Sequence, residues 1–394
     1  MPSAPSVNAV EPTRPDSPAG AGRIAPVDAL RGLVMILMAL DHTREFLHSA
    51  AVQFDAEDLA RTSAALFLTR WVTHFCAPVF VLTAGLGAWF WRASGRTTRE
   101  LSRFLLTRGL WLILLELTAL RLAYSFSPGG PVLLTILWAI GASMLVLAAL
   151  VHLPPRALAV VALAVVALHN AADAFQPDSW PWKLLHERGV IAAGPVVVVV
   201  GYPLVPWFAV MALGFALGPV MALDPGRRRR RLLTLGLLAT AAFVALRLVN
   251  AYGDPQPWAP PGLLSFLRCT KYPPSLQFLL MTLGPALVAL AWLDRLRIPR
   301  TSPLLVFGRV PLFYFLLHLY LVHAAAVVFA LARYGQAGFL LGAPPNADTY
   351  PAGYGYPLWA VYLAWLGVVA AAYLPCRWFA GVKARRRHWW LAYL

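Results

Sequence analysis

From Val27 to the end of the chain, apolar stretches follow one another, each about 18–25 residues long and able to cross a hydrocarbon core of about 30 Å as a helix. They fall near 27–47, 66–91, 109–124, 132–152, 157–173, 195–222, 232–251, 273–293, 304–330 and 357–380. This recurrence predicts an all-α fold, a polytopic membrane helix bundle of about ten transmembrane helices, since a helix satisfies its own backbone in lipid. Composition agrees: 59% of the 394 residues are hydrophobic and only 13% are charged, against about 25% charged in soluble domains. A conventional soluble enzyme, a disulfide scaffold, a coiled coil and a disordered hub are excluded. Residues 1–22, rich in Pro, Ala, Ser and Gly, read as a disordered cytoplasmic tail, and 23–394 as one membrane domain. Cys76, Cys269 and Cys376 lie in apolar surroundings without CxxC spacing, so they give neither a zinc site nor a disulfide framework.

The formal charge is +16, from 33 Lys+Arg against 17 Asp+Glu. In a soluble chain this excess would point to nucleic acid; in a membrane chain it reads first as orientation. With the N-terminus inside, 21 of the 33 basic residues fall on the inner side, including Arg92 to Arg108, the run Arg227–Arg231 and Lys383 to Arg387. Eight fall outside, and Arg31, Arg121, Arg247 and Arg309 fall within spans. The alternation predicts both termini in the cytoplasm, the bilayer as partner and no nucleic acid. Pro-rich outer segments near Pro255–Pro261 and Pro344–Pro357 carry Trp258, Tyr350, Tyr354 and Tyr356, as interface anchors or as a sugar-binding mouth.

Charge at membrane depth is expensive and points to function. Asp28, Arg31, Met35, Met38 and His42 recur at helical spacing on one stripe of the first span. Arg31 and His42 stand about 16 Å apart along it. Such a stripe faces protein or a wet cavity, although Asp28–Arg31 also reads as a pair that fixes the helix end. His74, four residues after Arg70, lies at the depth of His42 on the neighbouring span. Two histidines and Asp41 supply a base with an orienting carboxylate. They also resemble zinc ligands, but no third ligand at suitable spacing is evident and no metal is expected. Glu116 needs a partner at mid-depth, for which Arg247 and Arg121 are the candidates. Tyr314 and His318 share a face of the ninth span, which Arg309 opens; His323 lies on another face. Lys271 and Tyr272 mark the outer entry of the eighth, where the lysine either snorkels or meets substrate.

Several segments carry a family resemblance: RIAPVDALRGLVMILMALDH, THFCAPVFVLTAG, YPLVPWFAVMALGFALG, TKYPPSLQFLLMTLGPAL, GRVPLFYFLLHLYLVH and the closing WWLAYL. From about residue 23 to the end, the chain resembles the bacterial membrane family related to heparan-alpha-glucosaminide N-acetyltransferase. Arg31 and His42 also match the Arg-x10-His pattern of the wider transmembrane acyltransferase group. The resemblance implies an acetyl-CoA-dependent N- or O-acetyltransferase of the bacterial inner membrane. Acetyl-CoA would enter from the cytoplasm and a sugar or glycan acceptor from the outer side, with His42 as general base. The sequence departs from the animal enzyme, which has Asn at the place of His42, its catalytic His in the following loop, and Asp at the place of His74. The base therefore stays open among His42, His48 and His74. Arg31 would meet the pantetheine or carbonyl end of the donor, and Arg103, Arg108 and Arg309 its phosphates. No Cys or Ser stands out as a nucleophile, so direct transfer in a ternary complex is expected; an oligomer is left open. The rival reading is a transporter or flippase for a polar envelope precursor, a class that also uses intramembrane charge and interrupted helices.

Overall fold

The structure, a computed structural model, describes residues 25–127, 129–194, 196–259, 262–342, 349–386 and 388–393. The tail expected over 1–22 lies outside these residues, as does most of the first half of 344–357. The chain opens with α1 (Ala25–Leu47), then α2 (Ala64–Thr73) running into α3 (Cys76–Ala93). Next comes α4 (Thr98–Leu115), which passes through a π-helical turn, Glu116–Leu120, into α5 (Arg121–Ser125). A short β1 (Val132–Leu134) leads to α6 (Ile136–Leu150) and α7 (Pro155–Leu168), which ends in a 3-10 turn, His169–Ala174. Then follow α8 (Trp180–Leu185), β2 (Gly189–Ala193), β3 (Val196–Val200), α9 (Trp207–Ala216) and α10 (Gly218–Met221). The last part holds α11 (Pro225–Val249), α12 (Leu263–Leu267), α13 (Leu276–Leu293), α14 (Pro303–Arg309), α15 (Pro311–Tyr334) and α16 (Leu358–Arg385).

Local sequence explains where the helices begin. Ser63 caps α2, Thr97 and Glu100 form a capping box on α4, and Ser275 caps α13. Asp224 accepts from the Arg227 amide with Pro225 in the first turn of α11. Among the described residues, six segments are long and apolar enough to cross a membrane: Ala64–Ala93, Pro155–Ala174, Pro225–Val249, Leu276–Leu293, Pro311–Tyr334 and Leu358–Arg385. The apolar helices Ile136–Leu150 and Trp207–Met221 are shorter. The molecule is an integral membrane helix bundle.

Helix α1 is the hub, packed against α3, α13, α14, α15 and α16. Its closest approach is to α14, where Gly32 meets Leu304 and Gly308 meets the Asp28 backbone; a Cβ on either glycine would run into the opposing main chain. Buried side chains from Val27 to Leu391 join in one continuous core. Between α11 and α13, the guanidinium of Arg228 grips both Asp294 oxygens, at 2.7 and 3.1 Å. One member of the Arg227–Arg231 run is thus a partly buried helix tie as well as part of a positive end.

The all-α expectation needs one correction. The stretch expected as a sixth span from 195 begins in β3, and the helix starts only at Trp207. The described residues include a three-stranded sheet of order β1-β3-β2, with β1 parallel to β3 (Val132↔Val198) and β2 antiparallel to it (Val190↔Val199). Hydropathy alone cannot separate a run of valines from a span, but five β-branched residues flanked by Gly and Pro favour a strand. The fourth span likewise starts in β1. In the seventh, the arginine run lies inside the helix rather than before it.

Candidate active site

The ion pairs come from the C-terminal half of α1. Asp41 is buried between two arginines: Arg44, at 3.1 Å, and Arg70 on α2. Arg70 also stands 4.0 Å from Glu57 in the loop after α1, and His74 Nε2 lies 3.2 Å from the same carboxylate. Burial opposes ionisation of Glu57, but the positive field of His74, Arg70 and Lys271 overrides it and holds the carboxyl at about 2. Asp41 therefore binds arginines and Glu57 faces His74 and Arg70, and the expectation that Asp41 or His74 orients His42 is corrected. His74 is fully buried, packs on Phe278 and is not among the lining residues of the cavity that His42 faces.

The partner of His42 is His318. His42 Nδ1 and His318 Nε2 are 2.8 Å apart, with the rings stacked at 5.1 Å. His318 Nδ1 lies 2.9 Å from the Tyr314 carbonyl. A carbonyl only accepts, so His318 carries its proton on Nδ1 and offers a lone pair on Nε2. His42 must then donate through Nδ1, which leaves its Nε2 as the basic nitrogen. One backbone oxygen thus fixes two tautomers. Tyr314 and His318 are both fully buried behind His42 and do not touch the cavity.

His42 lines a polar cavity of about 650 Å³. Asp41, Arg70, Glu57, Tyr124, Lys271 and Tyr272 share its wall. The turn carrying Lys271 and Tyr272 is fixed by Asp254, which accepts from the Thr270 amide and hydroxyl and from Ser275 Oγ at 2.6–3.0 Å. Burial raises the Tyr272 hydroxyl, yet Lys271 and Arg70 outweigh it and pull the phenol below its usual range. Arg188, which the sequence did not single out, stacks on the Tyr272 ring at 5.2 Å and lines the same space.

A second cavity, of about 320 Å³, lies toward the arginine-rich end. Arg31, Arg108, Arg309 and Lys383 line it, beside Trp91 and Phe104, and no carboxylate appears among its described lining residues. Arg31 donates to the Thr83 carbonyl and stands 3.6 Å from Asp28. Arg103 is not in this wall, whereas Lys383 is; its place in a basic cluster read only as orientation. The two cavities share three apolar residues, Phe80, Ile136 and Phe315. Along α1, Arg31 and Met35 face one cavity and Met38 and His42 the other. The sequence stripe runs past both sides of this waist.

Other candidates are structural. His48 Nδ1 accepts from the Ala50 amide and lines neither cavity. His323 has the Ala123 carbonyl 2.8 Å from Nδ1 and the Leu340 carbonyl 3.0 Å from Nε2, donates to one of them, and stacks on Phe126. Glu116 has no ion pair with Arg247 or Arg121: its oxygens accept from the Thr135 amide and hydroxyl and from the Trp138 amide. Arg247 instead bonds the carbonyls of Gln256, Ser265 and Phe266 together with Gln277. Trp258, Tyr354 and Tyr356 spend their polar atoms on the Arg247, Phe46 and Phe329 carbonyls, which makes them loop anchors.

Residues 23–249, more than half of the chain, match the family model described as heparan-alpha-glucosaminide N-acetyltransferase, catalytic. The chain belongs to this family. It is therefore an integral membrane enzyme of the acetyltransferase type. The comparison with curated proteins gives no match. The matched segment contains Arg31, His42, Arg70 and Arg108, while Lys271, Arg309, His318 and Lys383 lie beyond it.

Proposed function

We propose that this enzyme takes acetyl-CoA into the smaller cavity from the cytoplasm and passes the acetyl group to an amine or hydroxyl of a sugar or glycan in the larger one. The observation that carries this reading is the meeting of the two cavities at Phe80, Ile136 and Phe315, with Arg31 on one side and His42 on the other. Four cations, with no carboxylate among the described lining residues, suit the donor phosphates, and the apolar inner part suits the pantetheine arm. The acceptor N–H or O–H gives its proton to His42 Nε2 as its heteroatom bonds the thioester carbon. Lys271 and Tyr272 face the larger cavity as donors for the oxyanion. Collapse breaks the C–S bond, and the CoA thiolate takes the proton back from His42. The N-terminus and the arginine-rich end face the cytoplasm of a bacterial inner membrane, and ten helical passes carry the chain across it.

Full-length protein in liposomes, given labelled acetyl-CoA on the arginine-rich side and a panel of amino sugars and glycans on the other, tests the reading. Label should move to an acceptor. His42→Ala should lower the rate about 10²–10⁴-fold while donor binding persists. Full activity in that variant would move the base elsewhere. Failure to bind CoA, with a glycan crossing the bilayer instead, would favour a transporter.

A further inference from the structure

At the end of the bundle that carries His42, the 3-10 turn after α7 packs against the loop that follows α8. Three ligand-type side chains meet there: His169, Asp173 and His186, each with a ligand atom within 4.8 Å of the others. The two imidazoles are 6% and 5% exposed. His186 Nε2 is 2.8 Å from Asp173 Oδ1, and Asn170 Nδ2 donates to the other carboxylate oxygen at 2.7 Å. Neither nitrogen of His169 has a hydrogen-bond partner. The His186–Asp173 pair alone accounts for two of the three residues. It leaves His169 as a buried imidazole with nothing to bind, an expensive arrangement for a polar ring.

We propose that His169, Asp173 and His186 bind a transition-metal dication, Zn²⁺, with the fourth position open toward the apolar groove that the two histidines line. Two imidazoles and one carboxylate are a donor set that zinc uses in three-ligand sites, whereas calcium or magnesium would need more oxygens. Bonds of about 2.0 Å place tetrahedral ligand atoms about 3.3 Å apart, which side-chain rotation brings within reach. The metal takes the place of the proton between His186 and Asp173, as the ring shifts to its Nδ1–H tautomer. Asn170 then steadies the carboxylate as an outer partner, and its own Oδ1 accepts from the Leu276 amide at the start of α13. The ion would pin the loop two residues ahead of Arg188 and so fix one wall of the larger cavity. The site stands independently of the acetyl-transfer reading. No local sequence pattern marks the site, because His169 and Asp173 lie at i, i+4 but His186 is 17 residues beyond His169 on another element.

The test uses full-length protein in detergent, carrying no histidine tag, stripped with chelator and then supplied with ZnCl₂ or CoCl₂. We expect one zinc per chain to survive desalting by elemental analysis, and Co²⁺ to give the intense visible bands of a tetrahedral site. His169→Ala and Asp173→Asn should lose the retained metal, and Asp178→Ala should keep it. Zinc washed away from the unmutated chain overturns the proposal, as does zinc retained equally by His169→Ala. If a variant does not fold, the cobalt spectrum of the unmutated chain decides alone: octahedral bands or none overturn it.

Discussion

At the scale of single residues, the proposed chemistry turns on a 2.8 Å contact between His42 on α1 and His318 on α15. The Tyr314 carbonyl orders both rings without any carboxylate, which suits a low-dielectric interior where a further buried anion would be costly. When His42 takes a proton, the His318 lone pair already faces its Nδ1–H. His318 is thus a positioning residue. His318→Phe keeps bulk but removes the acceptor, and should lower kcat at least about tenfold, as loss of an orienting partner does in triads, with KM for acetyl-CoA unchanged. His318→Gln, whose amide oxygen accepts, should recover part of the loss. Steady-state kinetics of the two variants decide this, and equal losses would sink the tautomer argument.

At the scale of elements, Glu116 shows how a membrane charge can serve without an ion pair. It sits where α4 widens into a π turn, and its carboxylate receives the Thr135 and Trp138 amides at the start of α6. The positive end of the α6 dipole and two otherwise unpaired N–H groups replace the arginine expected from the sequence. Glu116→Ala should destabilise the protein by about 1–2 kcal/mol, the cost of losing a cap, read as a lower thermal midpoint in detergent. Ile136 lies on the first turn of α6, so the same variant should also slow transfer. An unchanged midpoint would mean that water takes over the cap.

At the scale of the whole molecule, the two cavities define an hourglass around α1. Its waist is apolar, which in the proposed reaction keeps water away from the thioester and strengthens the electrostatics beside it. Ile136→Trp fills that waist. Donor binding, measured by calorimetry, should persist, while transfer falls about 100-fold because the reacting groups no longer align. Transfer at the original rate would mean that the acetyl group travels by another route.

The sequence alone determined the membrane class, the helical content and the stripe on α1, because hydropathy and helical periodicity are properties of neighbours along the chain. It also supplied the family, through motifs that are local in the same way. The tertiary structure decided which charges pair. Asp41 belongs to Arg44 and Arg70, Glu116 to a helix N-terminus, and His42 to a histidine 276 positions away. It also turned a valine run into a strand and brought Lys383 beside Arg31 in one wall. Pairings of this kind are set by which helix faces touch, and residues far apart in sequence carry no local trace of that choice.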